Sequence, residues 1–474
     1  MSTIATAFAT WAGNLRPADV PAEVRDRVAL RLADAVGLVV AAWSTPPGVA
    51  VRELAAELGG TGDARLLLDP APLHPAAAAL AHGTLVHALD FDDTFPTSVI
   101  HPMGVLLPAA LAVADESRPG ADLITAVAAG DELLARLGAA AGRGLHARGF
   151  QATGVLGPLA AALVAGVLRG REPSVIASAM GLAGSMSGGL LEFLSDGTWS
   201  KRLHPGWAAH GGLVADGLAG RGFPGPASVV EGRHGVFASF LGAVPEVVRP
   251  GPAAAPTDDS RAGTVDNLAG ATDGLAGATD GLAGITDALG ERWLSMEAKM
   301  KLYPCAHVLH PFIEMALALR EKVDAARVDR IVCEVAPWYV PIVCEPVAEK
   351  MAPASEYQAR ASLPMAVALA LVDGRVGVAS FEPESTARDA VRTLASRVEY
   401  VADPALAQGF GARMHVIAGA ERFDGDPTRP VDEAAGVRRK FAENTGGADA
   451  LWAAARDLDR RRVGDLWAAA PAPR

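Results

Sequence analysis

Three short stretches of the chain collect the side chains that could do chemistry. The first, Asp90-Phe91-Asp92-Asp93-Thr94 followed by His101-Pro102, sets three carboxylates, a hydroxyl and an imidazole within twelve residues. The second, residues 196–213, gathers Lys201, Arg202, His204 and His210 beside Trp199, Trp207 and four glycines. The third runs Lys299-Met300-Lys301-Leu302-Tyr303-Pro304-Cys305-Ala306-His307, with His310-Pro311 behind it. A cation pair beside imidazoles can hold a carboxylate or phosphate and move a proton, and glycines let backbone N–H groups come close to an anion. In a chain of formal net charge -12, two such basic islands mark places where an anion is met. The bland alternatives are a helix entry with solvated cations and carboxylates that cap a helix.

The elements that must carry these stretches are mostly helices. Apolar residues recur at helical spacing over 21–42, a Pro-Pro-Gly break follows, and 49–58 resumes helix, with a short extended piece at 64–68. An alanine-rich helix over 75–89 delivers His82 and His87 just before the acidic cluster, and Pro102 suits the first turn of the next helix. Residues 123–141 are helical, 142–154 form a loop, and an apolar helix opens at Val155. Helices are also predicted over 175–194 and, behind the cation pair, over 207–222. Further on, 328–335, 398–401 and 414–417 read as strands and 359–372 as a helix, while 430–442 and 448–470 return to helix.

Length and composition bound the rest. At 474 residues the chain exceeds the size at which one core stops growing, so two domains are expected. Hydrophobic residues make up 50% and aromatics only 5%, which favours closely packed small-residue helices over a β sandwich. The fold class expected is mainly α, a large all-helical domain from both chain ends with an inserted smaller α+β lid domain. Its boundaries are set at 1–260, a linker at 261–290, the lid at 291–429 and the returning helices at 430–474. The linker contains a seven-residue repeat over 267–287 whose glycines weaken any helix, so it reads as mobile and dispensable for catalysis. The acidic balance argues against nucleic acid as a partner. The apolar run 151–168 is interrupted by Pro158 and glycines, which favours a buried helix over a membrane span. No basic region precedes the first apolar residues, and three cysteines are too few for a disulfide framework, so a reducing cytoplasm is expected.

Asp-x-Asp-Asp in a helical chain also suits a Mg²⁺-diphosphate site of the terpenoid-cyclase kind, but no second metal-binding motif follows. An EF-hand fails for want of its glycine and terminal glutamate. The three stretches together resemble the MmgE/PrpD family, the 2-methylcitrate dehydratases and cis-aconitate decarboxylases. The matching segments are His-x-x-Asp-Phe-Asp-Asp-Thr with His-Pro (His87 to Pro102), Lys-Arg-Leu-His-Pro-Gly-Trp-Ala-Ala-His (Lys201 to His210) and Lys-x-Tyr-Pro-Cys (Lys301 to Cys305). They occur in order, and the resemblance covers about 21–441 apart from the repeat.

The resemblance implies a cofactor-independent and metal-free lyase for a small di- or tricarboxylate, working as a homodimer. By it, Asp90, Thr94, His101 and Lys201 are the catalytic candidates, and Gln151, Arg202, His204, Lys301 and His307 are the substrate-binding ones. Lys201, Arg202 and Lys301 would neutralise carboxylates, His101 would transfer the proton, and Asp90 with Thr94 would orient it or the leaving hydroxyl. Three positions depart from the family pattern. Gln151 stands where a histidine is usual, Ala306 where decarboxylating relatives carry a catalytic histidine, and Met365 where an aromatic is usual. An amide cannot exchange a proton near neutral pH, so a 2-methylcitrate dehydratase-like hydro-lyase is expected ahead of a decarboxylase or an epimerase. A non-catalytic carboxylate-binding paralogue is the further alternative.

Overall fold

Alanine-rich segments with apolar residues on every face can only be satisfied as buried helices, and the middle of this chain is built from them. The computed structural model describes residues 2–242 and 281–473, apart from 59, 61 and 408. The chain begins with helices α1 (Ile4–Asn14), α2 (Ala22–Ala42) and α3 (Pro46–Leu58), then an antiparallel pair β1 (Ala64–Leu66) and β2 (Asp69–Leu73). Helices α4 (Pro75–His87), α5 (Met103–Leu111), α6 (Gly120–Ala141), α7 (Gly144–Ala147) and α8 (Ala152–Leu168) follow. Next come α9 (Pro173–Ala183), α10 (Phe193–Asp196), α11 (Ser200–Ala219) and α12 (Val236–Leu241).

Small residues set how closely these helices pack. A Cβ on Gly83 of α4 would stand 2.5 Å from the Cα of Gly206 in α11, and one on Gly212 would stand 2.4 Å from the Cβ of Ala161 in α8. Backbone thus lies on backbone where α4 and α11 cross, which fixes the second basic stretch against the acidic one. Two expectations are corrected here. The cation pair lies inside the first turn of α11 rather than ahead of a helix at 207–222, and Pro205 is accommodated within α11. The helix expected over 175–194 stops at Ala183, because a 3-10 turn and Gly188-Gly189 lead the chain away.

The α+β lid has its own core. Strands β3 (Arg330–Val335), β4 (Val398–Ala402), β5 (Ala412–Ala418) and β6 (Glu421–Asp424) form one sheet in the order β4-β3-β5-β6, with β3 and β4 parallel and the other pairs antiparallel. Ile331, Cys333, Val416 and Met414 pack with Phe312, Leu319 and Leu369 from α13 (His310–Leu319) and the helix Leu363–Asp373. The chain then returns to the helical domain. The helix Glu433–Thr445 lays Phe441 against Gly37 of α2, where a Cβ would stand 2.6 Å from the ring, and the span expected as one helix over 448–470 is broken after Arg456. The fold is therefore mainly helical, built from both chain ends, with the smaller α+β lid inserted.

Of the repeat, residues 267–280 lie outside the described residues. Its last copy is anchored rather than free. Leu282 and Ile285 are buried in the helical core, and Arg136 donates to the carbonyls of Ile285 (2.9 Å), Asp287 (2.6 Å) and Arg292 (2.9 Å). Among the described residues no single helix is long and apolar enough to cross a membrane; α2 and α3 reach that length together only across a 93° bend. The apolar helix α8 is buried.

Candidate active site

Helix α4 ends at His87, and the chain turns at Asp90, which holds a left-handed φ of 50°. Aspartate tolerates that conformation better than most residues. The turn points one carboxylate oxygen at two lysines from distant parts of the chain. Lys201 Nζ from α11 stands 2.7 Å from Asp90 Oδ1, and Lys301 Nζ stands 2.6 Å from the same atom and donates to the Asp90 carbonyl at 2.8 Å. Lys301 is brought there by its neighbours, since Thr94 and Lys299 exchange two backbone hydrogen bonds of 2.8 Å. Burial alone would push the Asp90 carboxyl up, but the two ammonium groups outweigh it and hold it well below the usual carboxylate range. Burial lowers the Lys201 ammonium, which Asp90 partly restores.

His101 lies beside this cluster. Its Nδ1 is 2.9 Å from the Asp93 carbonyl and 3.4 Å from Thr94 Oγ1, and its backbone N–H donates to Thr153 Oγ1 at 2.9 Å. A carbonyl can only accept, so Nδ1 carries the proton and Nε2 keeps the lone pair. Burial holds His101 well below the ordinary imidazole range, with Asp92 offsetting it only in part, so at neutral pH the ring is an uncharged base. His87 packs with its ring tilted 50° and centred 4.5 Å from it, and binds Asp92 Oδ1 through Nδ1 at 2.7 Å. The metal-capable atoms of His87, Asp92 and His101 lie within 4.8 Å of one another. The Nδ1 atoms of both rings are hydrogen-bonded, to Asp92 and to the Asp93 carbonyl, while His87 Nε2 and Asp92 Oδ2 are buried without a partner.

Around it stands a frame of buried cations to which the sequence assigned no role at the site. Arg31 of α2 holds Asp93 (2.6 Å) and pairs with Asp131 of α6, and the Met103 N–H also reaches Asp93 (3.0 Å). Lys440 binds Asp34 (2.7 Å) and donates to the carbonyls of Phe91 (2.5 Å) and Lys301 (3.0 Å). Arg360 from the lid donates to the carbonyls of Leu89 (3.0 Å) and Pro304 (2.8 Å) and pairs with Glu356 (2.5 Å). One signal was legible: Arg31 and Asp34 are charges inside the otherwise apolar face of α2, and both are buried.

The structure gathers Asp90, Thr94, His101, Lys201 and Lys301 at the junction of helical domain and lid. The other candidates are placed differently. Gln151 caps α8, its Oε1 accepting from the Gly154 N–H (2.9 Å) and its Nε2 donating to Thr153 Oγ1 (3.0 Å), so both ends are used within the protein. Arg202 is held by Glu356 at 2.8 Å, between Trp199 and Tyr357. His204 packs on Gly189, its Nδ1 is buried without a partner, and burial lowers it to about 4. His307 stacks 4.4 Å from His310 and 4.9 Å from Phe410, lining with them a cavity of about 310 Å³. Cys305 is fully buried, and burial raises its thiol to about 12, which removes it as a nucleophile.

Comparison with known proteins adds to this geometry. Residues 6–246 match the MmgE/PrpD N-terminal domain and residues 303–450 the MmgE/PrpD C-terminal domain. The chain is 31% identical over 244 residues to the cis-aconitate decarboxylase-like protein oryM of Aspergillus oryzae, covering 49% of this chain and 50% of the relative. It is 28% identical over 243 residues to the cis-aconitate decarboxylase of Aspergillus terreus, covering 50% and 49%. Against the human cis-aconitate decarboxylase it is 27% identical over 350 residues, covering 69% and 61%. The chain thus spans about half the length of the fungal relatives it matches.

Proposed function

The chain belongs to the MmgE/PrpD family, and from that premise we propose that it is a lyase acting on a small tricarboxylate, with decarboxylation of a cis-aconitate-type acid as its reaction. The observation that carries this reading is the single Asp90 oxygen shared by Lys201 and Lys301 beside an uncharged His101. Two ammonium groups share one oxygen of a single carboxylate in a buried junction, and a substrate carboxylate would give them a second anionic partner.

In the proposed step the carbon–carboxylate bond breaks and carbon dioxide leaves. The bonding electron pair moves into the adjacent carbon framework, stabilised as it forms by the lysine charges, and the carbon at the far end takes a proton. Lys201 is the donor in this scheme, because its ammonium is lowered toward working pH while His101 carries no proton on Nε2. Asp90 orients both lysines, and Thr94 with Asp93 fixes the His101 ring. The relatives' names favour decarboxylation over the hydro-lyase expected from the sequence departures.

Dehydration is kept as a second reading on one observation: Gln151, where the family usually has histidine, is spent on capping α8. In that case His101 Nε2 would remove the proton beside a carboxylate, and Lys201 would protonate the departing hydroxyl. The test is to incubate the purified chain with cis-aconitate, citrate and 2-methylcitrate in D₂O, following carbon dioxide release and the proton NMR spectrum, with Lys201→Ala and His101→Gln alongside. Carbon dioxide from cis-aconitate that Lys201→Ala abolishes supports the reading. Loss of water without carbon dioxide moves the assignment to dehydration, and no change in any substrate defeats both.

A further inference from the structure

Several buried nitrogens near this site have no hydrogen-bond partner, and five of them are Arg143 Nε, His146 Nδ1, His204 Nδ1, His307 Nδ1 and Trp338 Nε1. Unpaired buried polar atoms are rare and costly, so a group of them facing one junction calls for a ligand. Two of the five are in contact with each other across the two domains. Arg143 follows α6 in the helical domain and lays its guanidinium carbon 3.5 Å from the centre of the Trp338 ring, in the turn that follows β3 of the lid. Arg143 has no carboxylate partner among the described residues, and its contacts to the carbonyls of Ala407 and Gly409 are both at the 3.5 Å limit. Burial without a counter-charge pulls the guanidinium down to about 10.

The pair also connects to the site. Trp338 packs 6.4 Å from Phe410, and Phe410 packs 4.9 Å from His307, which feels the charges of Lys301, His101 and Asp90. His146, one turn beyond Arg143, feels the charges of both Lys201 and Arg143. An indole N–H and a guanidinium N–H are both donors, and the guanidinium is always charged, so together they fit an oxygen anion.

We propose that Arg143 and Trp338 form a carboxylate receptor at the mouth of the cleft, holding the substrate carboxylate farthest from Lys201 and Lys301 and tying the helical domain to the lid when it is filled. This rests on the carboxylate reading above and adds a residue pair that selects substrates by their number and spacing of carboxylates. The stack alone would already join the domains. What the receptor adds is that the joint tightens with an anion between the two N–H groups.

The test is calorimetric titration of the full chain with cis-aconitate, comparing wild type, Arg143→Gln, Trp338→Phe and the double variant. Trp338→Phe keeps a ring for the stack and deletes only the N–H. Arg143→Gln should weaken binding by about 10- to 100-fold, and Trp338→Phe by about 3- to 10-fold, as expected for charged and neutral hydrogen bonds. The double variant should lose less than the product of the two, because they hold one carboxylate. Arg143→Gln also removes the stack and should lower the urea midpoint slightly, whereas Trp338→Phe, which keeps the ring, should leave it at the wild-type value. If wild type binds cis-aconitate and both single variants bind within twofold of it, the receptor is refuted while the carboxylate reading stands. If wild type binds neither cis-aconitate nor citrate, both fall.

Discussion

Asp90→Asn is the change that separates a charge-coupled lysine pair from two lysines that merely lie close. Asparagine keeps the shape and tolerates the φ of 50° at this position, so the backbone turn survives and only the charge is lost. Both ammonium groups then remain in a buried site without the oxygen that stands 2.7 Å and 2.6 Å from them. Breaking a buried ion pair from one side costs about 3–5 kcal/mol. The alternative open to the variant is to release the Lys201 proton, which for an unperturbed lysine at pH 7 costs about 5 kcal/mol and less where burial has already lowered it. The two routes agree on a loss of about 3–5 kcal/mol at neutral pH.

The pH dependence makes the prediction sharp. In the variant the folded-state pKa of Lys201 drops further below its unfolded value, so over that window the unfolded chain binds more protons. Stability of the variant then rises with pH by up to about 1.4 kcal/mol per unit until the unfolded lysine titrates. Wild-type Lys201 is lowered less, because Asp90 supports its charge, so the deficit of the variant shrinks between pH 7 and 9.5. The acid side follows from Asp90 itself. Its folded pKa is lowered, so its contribution is complete above the unfolded value near 4 and disappears as pH falls through the folded one. Urea unfolding followed by circular dichroism at half-unit steps from pH 3 to 9.5 reads both limbs. A deficit that stays constant from pH 7 to 9.5 would refute the coupling of the lysines through Asp90.

Other expectations concern the frame. Lys440→Met leaves Asp34, which burial already pushes up to about 6, without its partner, and should cost about 3–5 kcal/mol in urea unfolding, part of it recovered by adding Asp34→Asn. Gln151→Ala should behave as loss of a helix cap, lowering stability by about 0.5–2 kcal/mol with KM changed less than twofold, and a large KM effect would mean the amide touches substrate. Ile285→Ala should cost about 2–5 kcal/mol in urea unfolding, and deletion of residues 267–280 should leave turnover unchanged.

The helical domain was legible because its signals are local. Apolar periodicity, Pro at helix starts and Gly at helix ends placed α2, α4 and α6 within a few residues, and short β-branched runs placed β3 and β5. The misplaced elements have specific causes. Residues 184–194 look helical by composition, yet Gly188 and Gly189 lead into a bridge between Phe150 and Leu190 that no local pattern announces. The helix expected over 207–222 starts earlier, at Ser200, and carries Pro205 inside it, so the Lys201 carbonyl loses its intrahelical donor there.

The site divides along the same line. Asp90, Thr94, His101, Lys201 and Lys301 stood out because clusters of reactive side chains are visible in sequence, and the fold brings them together. Arg31 and Arg360 did not, and Lys440, in the family-like Arg439-Lys440-Phe441, carried no site role, because their value lies in what they bind: the carbonyls of Leu89, Phe91, Lys301 and Pro304, or an acid a hundred residues away. Backbone acceptors carry no sequence signature, so a cation that holds them looks like any other lysine or arginine. Yet three buried cations, from α2, the lid and the helix Glu433–Thr445, converge on the segment 89–93. Each is fully or almost fully buried, so none can be removed without leaving an acceptor or a charge unpaired. A turn gripped from three sides keeps Asp90 aimed at both lysines, and that rigidity lets a single carboxylate set the charge of the cleft before any substrate arrives.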